Sequence, residues 1–219
     1  ADSWWSAQRG REALKIRWAD HPTSTQSSAG FASRARELSR MAPETVARAD
    51  GDVAGALASA HKSVEAAYSY PFLAHATMEP MVCTAKVEGD RVEIWTGVQD
   101  PLNARSVAAK ALEIDVEQVT LTNHLLGGGF GRRLPFTFDY VDLGVRIARA
   151  MSPAPVKTIW TRENDIQHDY YRGAALSRHA GALDAGGAPL AAHSIYTGGG
   201  NDEAVAMPYA IPKMDAAEK

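Results

Sequence analysis

The 219-residue sequence contains a single cysteine, Cys83. One thiol cannot form a disulfide within the chain, and it cannot supply the thiolates that an iron–sulfur cluster or a cysteine-ligated zinc site requires. The seven histidines also lack a close pair at the i, i+4 spacing of helical zinc sites. The sequence therefore excludes a disulfide-stabilised scaffold and does not predict a mononuclear zinc site.

Long apolar runs and an excess of one charge are also lacking. No apolar run approaches the ~20 residues that cross a bilayer, and 23 basic residues are interspersed with 26 acidic ones, for a net charge of -3. This balance predicts neither a nucleic-acid nor an anionic-membrane partner. With 45% apolar residues, we expect a soluble globular protein that has one full core or two small ones.

The first five residues (ADSWW) include neither an initiator methionine nor the pattern of a signal peptide. We therefore expect the natural start to lie elsewhere and the chain to be a fragment. Composition divides it into a tail of an earlier domain (1–20), a polar linker with one weak helix (21–51) and a main domain (52–219). Within the main domain we expect a disordered tail over 214–219.

Apolar spacing predicts mixed helices and strands. Helices are expected over 4–14, 53–60, from near Pro101, and over 137–150. Strands are expected over 15–18, 63–70, 81–87, 91–96, 116–122, 156–160 (buried), 174–183 and 189–196. Because these elements follow no strict βαβ repeat, the predicted class is α+β, with mixed sheets and packed helices.

The most informative segment is the glycine loop, residues 127–133 (GGGFGRR), which we expect between a strand and a helix. Glycines fill four of its first five positions, so backbone N–H groups can closely approach an anion or a metal-oxo group. The alternative is a tight connection that needs positive φ angles. Phe130 packs either against a ligand or into the core. The spacing matches neither the Walker loop nor the dinucleotide fingerprint.

This loop resembles the molybdenum-binding loop of the xanthine oxidase and aldehyde oxidoreductase family of molybdenum hydroxylases. Three further segments match in order. Residues 74–80 (AHATMEP) resemble the entry to the molybdopterin domain, in the form typical of isoquinoline 1-oxidoreductase-like β subunits. Residues 94–99 (IWTGVQ) resemble a strand that ends in a glutamine, and 161–172 resemble a segment that brings an arginine to the substrate pocket.

The resemblance covers about residues 52–196, and residues 1–20 are similar to the end of the family's hammerhead domain. It implies that 52–219 is part of the first molybdopterin-binding domain of a large subunit. It also implies a molybdenum–molybdopterin cofactor, in the cytosine dinucleotide form. The implied cofactor-binding residues are Gln99, Gly128, Gly129, Phe130, Gly131 and Arg132.

The resemblance gives three of these residues and one further residue specific roles, and it implies that no side chain of this chain is a ligand of the metal. Gln99 donates its amide to a molybdenum oxo ligand, and Phe130 with the Gly131 N–H covers the apical face of the metal. Arg172 stabilises negative charge on the substrate, so Gln99 and Arg172 are the implied catalytic residues. The alternatives are a helix cap for Gln99 and a surface salt bridge for Arg172.

Two residues of the entry segment carry a separate expectation. His75 and Glu79 form a structural pair with each other or line the pocket. A structural pair is the interpretation that we favour.

The resemblance also implies partners and a reaction. The parent enzyme hydroxylates an aromatic N-heterocycle or oxidises an aldehyde, with water as the oxygen source. Leu134 stands where purine-oxidising relatives carry an acidic residue, so a purine substrate is not expected. Electrons pass to a two-cluster iron–sulfur small subunit, and a cytochrome is one candidate acceptor.

The family's catalytic glutamate motif has no counterpart between Tyr196 and Lys219. We therefore expect the chain alone to be inactive. We also expect the parent to be periplasmic. Two competing hypotheses are a non-catalytic module that binds a phosphate-bearing ligand or serves assembly, and a structural fragment whose glycine loop is only a connection.

Overall fold

The computed structural model describes residues 1–134, 136, 138–198 and 209–218. Its helices are α1 (Trp4–Glu12), α2 (Ser28–Leu38), α3 (Val53–Ala58), α4 (Pro101–Leu112), α5 (Asp139–Ala150) and α6 (Arg162–Gln167). Its strands are β1 (Thr45–Asp50), β2 (Lys62–Tyr70), β3 (Val82–Glu88), β4 (Arg91–Thr96), β5 (Val119–Asn123), β6 (Val156–Ile159), β7 (Ala175–Leu183), β8 (Pro189–Gly198) and β9 (Lys213–Glu218). The predicted α+β class with mixed sheets is confirmed.

The first sheet is four-stranded, in the order β5-β4-β3-β6. β3 and β4 form the predicted hairpin, whose turn contains Gly89 at φ 61°. β4 and β5 are parallel, and α4 connects them. α4 begins at Pro101 because Asp100 caps it, accepting a hydrogen bond from the backbone N–H of Asn103 at 3.0 Å. This crossover sets the ends of β4 and β5 side by side, where the glycine loop begins.

Helix α5 lies against β3 and supplies much of the main core. Its apolar stripe is the pattern that predicted a helix over 137–150, and the structure has it over Asp139–Ala150. A Cβ at Gly144 would lie only 2.8 Å from Cys83 Sγ, so glycine permits this close contact of helix and strand. Buried core residues here include Val87, Ile94, Val98, Leu112, Tyr140 and Val145.

The second sheet is five-stranded, in the order β1-β9-β8-β7-β2. β7 and β8 form the predicted hairpin, and β2 pairs antiparallel with β7. β8 and β9 are parallel, and β1 pairs antiparallel with β9. A smaller core lies under α3, where Val53 and Ala56 pack with Ala182 and Ala191.

Four local expectations were wrong. Lys213–Glu218 form β9, with Met214 buried, so the disordered tail predicted over 214–219 is wrong for 214–218. Lys219 lies outside the described residues. The last part of the expected linker forms β1. Residues 15–18 form no strand. β6 is half-exposed rather than buried, since it is an edge strand. The division into domains stays a prediction.

Within the described ranges, no helix combines the length and the apolar character needed to cross a membrane.

Candidate functional site at the glycine loop

The four segments that carried the resemblance meet at the glycine loop. The entry segment 74–80 lies on one side of it, and Gln99 lies on another. The segment that includes α6 contacts both the loop and the entry segment through Asp169 and Arg162. Chain positions up to 94 residues apart are therefore joined at one place.

Gln99 is anchored to the loop through its carbonyl oxygen. Its Oε1 accepts hydrogen bonds from the backbone N–H groups of Gly131, at 3.0 Å, and Arg133, at 3.2 Å. Because only an oxygen can accept from two N–H donors, the amide orientation is fixed and the NH₂ group points away from them. The side chain of Asn123 positions this segment by hydrogen bonding both the N–H and the C=O of Val98.

The alternative role for Gln99 as a helix cap does not hold, since Asp100 occupies that position. The expectation that the Gly131 N–H faces the metal also differs from the structure. This N–H donates to Gln99 instead. The two residues thus form one unit, in which the amide NH₂ is the outward-facing donor.

The backbone of the loop requires glycine at several positions. Gly128 and Gly131 have φ angles of 106° and 101°, which L side chains rarely adopt. At Gly129 a Cβ would lie 2.6 Å from Gln99 Oε1, and at Gly127 it would lie 2.3 Å from the Cβ of Glu79. The glycines therefore let the loop pack closely against Gln99 and the entry segment, and we call the loop with these two neighbours the cradle.

Phe130 projects from this cradle into solvent. Its φ is 56° and 78% of its surface is exposed, so it is not a plug into the core. A large apolar ring held out of the core in a left-handed backbone conformation is suited to pack on a bound molecule.

Arg133 ties the loop to the entry segment from below. Its guanidinium is fully buried and donates to the carbonyl oxygen of Gly97 at 3.0 Å and to the carbonyl and carboxylate oxygens of Glu79 at 3.0 and 2.8 Å. The same Glu79 carboxylate accepts from the Gly127 N–H at 3.1 Å. One ion pair thus fixes the first and the last residue of the loop.

Arg132 points to the other side and is also buried. Its guanidinium pairs with Asp139 at 2.9 Å and with Asp169 at 2.8 Å. The Cζ atom of the guanidinium also lies between 5.5 and 6.0 Å from the centres of three aromatic rings, those of Tyr140, Trp160 and Tyr170. Arg132 was predicted to bind the cofactor, and the structure places its side chain in this internal network beneath the loop.

His75 and Glu79 do not pair with each other. Glu79 pairs with Arg133, and His75 Nδ1 lies 3.1 Å from Asp169 Oδ2. The expected pair was wrong because both residues find partners far away in the sequence. Arg162 completes the entry segment by donating to two of its carbonyl oxygens, at 2.6 and 2.7 Å.

Burial shifts the pKa of two acidic groups beside this network. Burial raises the pKa of the Asp165 carboxyl, and the nearby cations of Arg132 and Arg162 oppose this rise. Burial also raises the pKa of the Tyr140 phenol, which donates to the Gly97 carbonyl oxygen at 3.1 Å. Tyr140 is therefore a neutral donor under the loop.

Arg172 lies farther along its segment and contacts other residues. Its backbone forms a β-bridge with Leu73, and its guanidinium lies 5.7 Å from the centre of the Tyr70 ring. The described contact of its guanidinium is thus a cation–π contact, where the alternative role was a surface salt bridge. The role of Arg172 towards the substrate stays a prediction. These contacts hold Arg172 beside the entry segment, and they do not join it to Gln99.

A separate groove of about 530 Å³ lies between α2 and the sheet formed by β2 and β7. Phe31, Phe72 and Tyr70 line it, and Phe31 and Phe72 stack edge to face with ring centres 5.0 Å apart. None of the predicted site residues lines this groove. The candidate site therefore remains the glycine loop.

Sequence reasoning missed the residues that hold the loop in place. Asp139, Asp169 and Arg162 carried no expected role, and Glu79 was given the wrong partner. Runs such as Thr161–Asp165 match the family's pattern, but a pattern does not say which distant group each side chain meets.

Comparison with known proteins gives a consistent result. A family model described as "Molybdopterin cofactor-binding domain" matches residues 38–215. A relative, "Membrane-bound aldehyde dehydrogenase [pyrroloquinoline-quinone]" of Gluconacetobacter polyoxogenes, is 33% identical over 186 residues, which are 84% of this chain and 24% of the relative. The β subunit of isoquinoline 1-oxidoreductase of Brevundimonas diminuta is 37% identical over 109 residues, 49% of this chain and 14% of that protein.

Among solved structures, quinoline 2-oxidoreductase from Pseudomonas putida 86 superposes with a TM-score of 0.75. The match covers 100% of this chain and 30% of that chain, at 20% identity, so it concerns the fold alone. The chain spans about a quarter of the length of its Gluconacetobacter relative.

Proposed function

Because the chain belongs to the molybdopterin cofactor-binding domain family, we propose that its glycine loop and Gln99 hold the molybdenum cofactor in the catalytic subunit of a molybdenum hydroxylase. The intact enzyme, in this proposal, hydroxylates an aromatic N-heterocycle or oxidises an aldehyde, with water as the oxygen source. The chain supplies one wall of that site.

The anchored amide of Gln99 is the observation that carries this proposal. Its oxygen is occupied by two backbone N–H donors, so its two amide protons are the group offered to a ligand. An uncharged donor of fixed direction suits an oxygen atom on a metal centre, because it binds the oxygen without changing the charge of the site. Exposed Phe130 lies next to it in the loop.

The shape of the loop fits a large, oxygen-rich group. The loop packs directly on Gln99, since a Cβ at Gly129 would lie 2.6 Å from Gln99 Oε1, and it needs glycine φ angles at Gly128 and Gly131. When bound, the cofactor supplies the redox chemistry. The chain's own residues orient it: Gln99 donates the hydrogen bond, Phe130 covers an apolar face, and the buried Arg132 and Arg133 hold the loop rigid beneath it.

The alternative of a non-catalytic phosphate-binding module is not favoured. It explains the glycines, but it gives no reason for Gln99 to be clamped to them by its carbonyl or for an aromatic ring to project beside them. A loop that only connects two elements would also need no exposed Phe130.

The substrate class follows from the residue after the two arginines. Leu134 offers an apolar side chain, 37% exposed, where purine-oxidising relatives carry an acid. We propose an aldehyde or an uncharged aromatic N-heterocycle as substrate, in keeping with the aldehyde dehydrogenase and isoquinoline oxidoreductase relatives named above. The intact enzyme should turn over isoquinoline or an aromatic aldehyde faster than xanthine.

The finer details of the enzyme belong to the proposal as well. The cofactor is the cytosine dinucleotide form of molybdopterin, and electrons leave through a two-cluster iron–sulfur subunit, with a cytochrome as one candidate acceptor. This chain has one cysteine and so cannot hold a cluster itself. The parent enzyme is periplasmic.

The decisive test measures molybdenum and pterin in the intact protein. We expect stoichiometric molybdenum and pterin in the wild type and less of both in Gln99→Ala and Gly129→Val. The Gly181→Ala variant is a control, because the nearest atom to its new Cβ would be 3.9 Å away. The name of the Gluconacetobacter relative contains pyrroloquinoline quinone, so that quinone is assayed in parallel. A folded wild type without molybdenum and pterin would refute the proposal.

A further inference from the structure

His75 lies beside the loop with one ring nitrogen fully engaged. Its Nδ1 is 3.2 and 3.1 Å from the two carboxylate oxygens of Asp169, and its backbone N–H donates to the same carboxylate. The Asp169 side chain is 2% exposed, and Arg132 pairs with it at 2.8 Å. A carboxylate only accepts hydrogen bonds, so Nδ1 carries a proton.

The other ring nitrogen is the one left for a ligand. Arg132 and His75 both contact the buried Asp169 carboxylate, which holds the imidazole by its Nδ1. Nε2 is therefore the ring nitrogen that can form a further hydrogen bond. Within the described residues, no hydrogen bond to Nε2 is found.

Nε2 is directed at the loop. A Cβ at Gly131 would lie 3.6 Å from Nε2, closer than any other atom outside the neighbouring residues. Since Gly131 has no side chain, the imidazole and the bare side of the loop border the same space. The His75 side chain retains 15% exposure there.

We propose that His75 binds the molecule held at the glycine loop, through a hydrogen bond between Nε2 and an oxygen or nitrogen atom of that molecule. Asp169 is the positioning residue, because its carboxylate holds Nδ1 and so orients the ring. The inference rests on the proposed function. The bonded atom belongs to the cofactor or to the substrate, and the two sources are separated below.

Two variants distinguish this role from a purely structural one. In His75→Asn the amide nitrogen takes the place of Nδ1, so the bond to Asp169 is kept and Nε2 is lost. In His75→Gln the amide reaches the place of Nε2 and the bond to Asp169 is lost. If His75 is purely structural, His75→Asn should behave like the wild type. If His75 binds the ligand through Nε2, His75→Gln should be the better substitute. His61 has an exposed side chain, and its Asn and Gln variants are the controls.

The intact enzyme and all variants are compared for thermal unfolding, molybdenum and pterin content, and KM against kcat. If Nε2 contacts the cofactor, His75→Asn lowers the molybdenum and pterin content about tenfold, the effect of one lost hydrogen bond. If it contacts the substrate, the content is kept and KM rises about tenfold. In both cases the loss in His75→Gln is at least about threefold smaller than the loss in His75→Asn, although the Gln variant lacks the bond to Asp169.

Equal losses in the Asn and Gln variants, whether of cofactor, KM or folding, would overturn the inference, as would a greater loss in Gln. A wild type that carries no molybdenum or pterin would instead refute the function on which it rests. The two failures are therefore separate: one appears only in the variants and the other already in the wild type.

Discussion

The contact between Gly129 and Gln99 predicts a strong effect of one methyl group. The backbone at Gly129 does not require positive φ, so the backbone conformation itself permits alanine and only the contacts of the added Cβ oppose it. That Cβ would lie 2.6 Å from Gln99 Oε1 and 2.8 Å from its Cδ. Gln99 must move, which breaks its bonds to the Gly131 and Arg133 N–H groups.

The expected cost follows from these two hydrogen bonds. Each contributes about 1 kcal/mol net, so Gly129→Ala should lower the free energy of unfolding by about 2 kcal/mol and redirect the Gln99 amide. In the intact enzyme, molybdenum content should fall together with stability. Urea unfolding and metal analysis measure the two effects, with Gly181→Ala as the matched control.

A double-mutant cycle tests the reasoning itself. In Gln99→Ala the side-chain atoms that the new Cβ would strike are gone, so adding Gly129→Ala should cost little more. If the losses in the free energy of unfolding instead add to within about 0.5 kcal/mol, as they do at independent sites, the steric coupling is absent and the description of the loop is wrong.

Three further predictions concern other parts of the network. Gly144→Ala should destabilise the fold by about 1 to 3 kcal/mol in urea unfolding, despite better helix propensity, because its Cβ would overlap Cys83; stabilisation would contradict the packing. The Cys83 thiol, whose pKa burial raises to about 12, should react with thiol reagents only on unfolding, and reaction at the rate of a free thiol would show that it is not buried. Arg133→Met should lower the free energy of unfolding by about 2 kcal/mol, since the carbonyl oxygens of Gly97 and Glu79 lose their buried donor; a thermal midpoint unchanged from wild type would be inconsistent with these bonds.

The pH dependence of stability offers one more test. Burial, and then the charge of His193, lowers the pKa of His179. The folded state therefore binds fewer protons than the unfolded one, whose pKa is about 6.5. The contribution of His179 to the free energy of unfolding is fully present above about pH 6.5, and it is lost as the pH falls below that value. His179→Phe should weaken the dependence of the thermal midpoint on pH below about 6.5. An unchanged dependence would exclude His179 as a cause of it.

Local patterns were enough to predict the elements around the site. The apolar stripe of α5 and the turn residues between β3 and β4 depend on neighbours in the sequence, and both elements appear where expected. The family motifs also brought Gln99 and the glycine loop together before any geometry was known.

Elements stabilised by distant partners were not predictable in this way. β9 has the sequence KMDAAE, whose residues have little strand propensity. It becomes a strand because β8 lies on one side and β1 on the other, with Thr45 opposite Glu218. The ion pairs of Arg132 and Arg133 likewise join residues with no characteristic spacing, so sequence reasoning could name both arginines but not their partners.

The opposed anchoring of Arg132 and Arg133 has a consequence for how the loop binds. The Arg132 guanidinium is fixed to Asp139 and Asp169, and the Arg133 guanidinium is fixed to Glu79. Glu79 also binds the N–H of Gly127. The glycine loop is therefore held at both ends. Glycine-rich segments lose the most conformational entropy on ordering. Here that loss accompanies folding, so a ligand meets a preorganised surface and association costs correspondingly less entropy. The amide hydrogens of Gly127, Gly131 and Arg133, which donate to Glu79 and Gln99, should exchange slowly even when no ligand is bound.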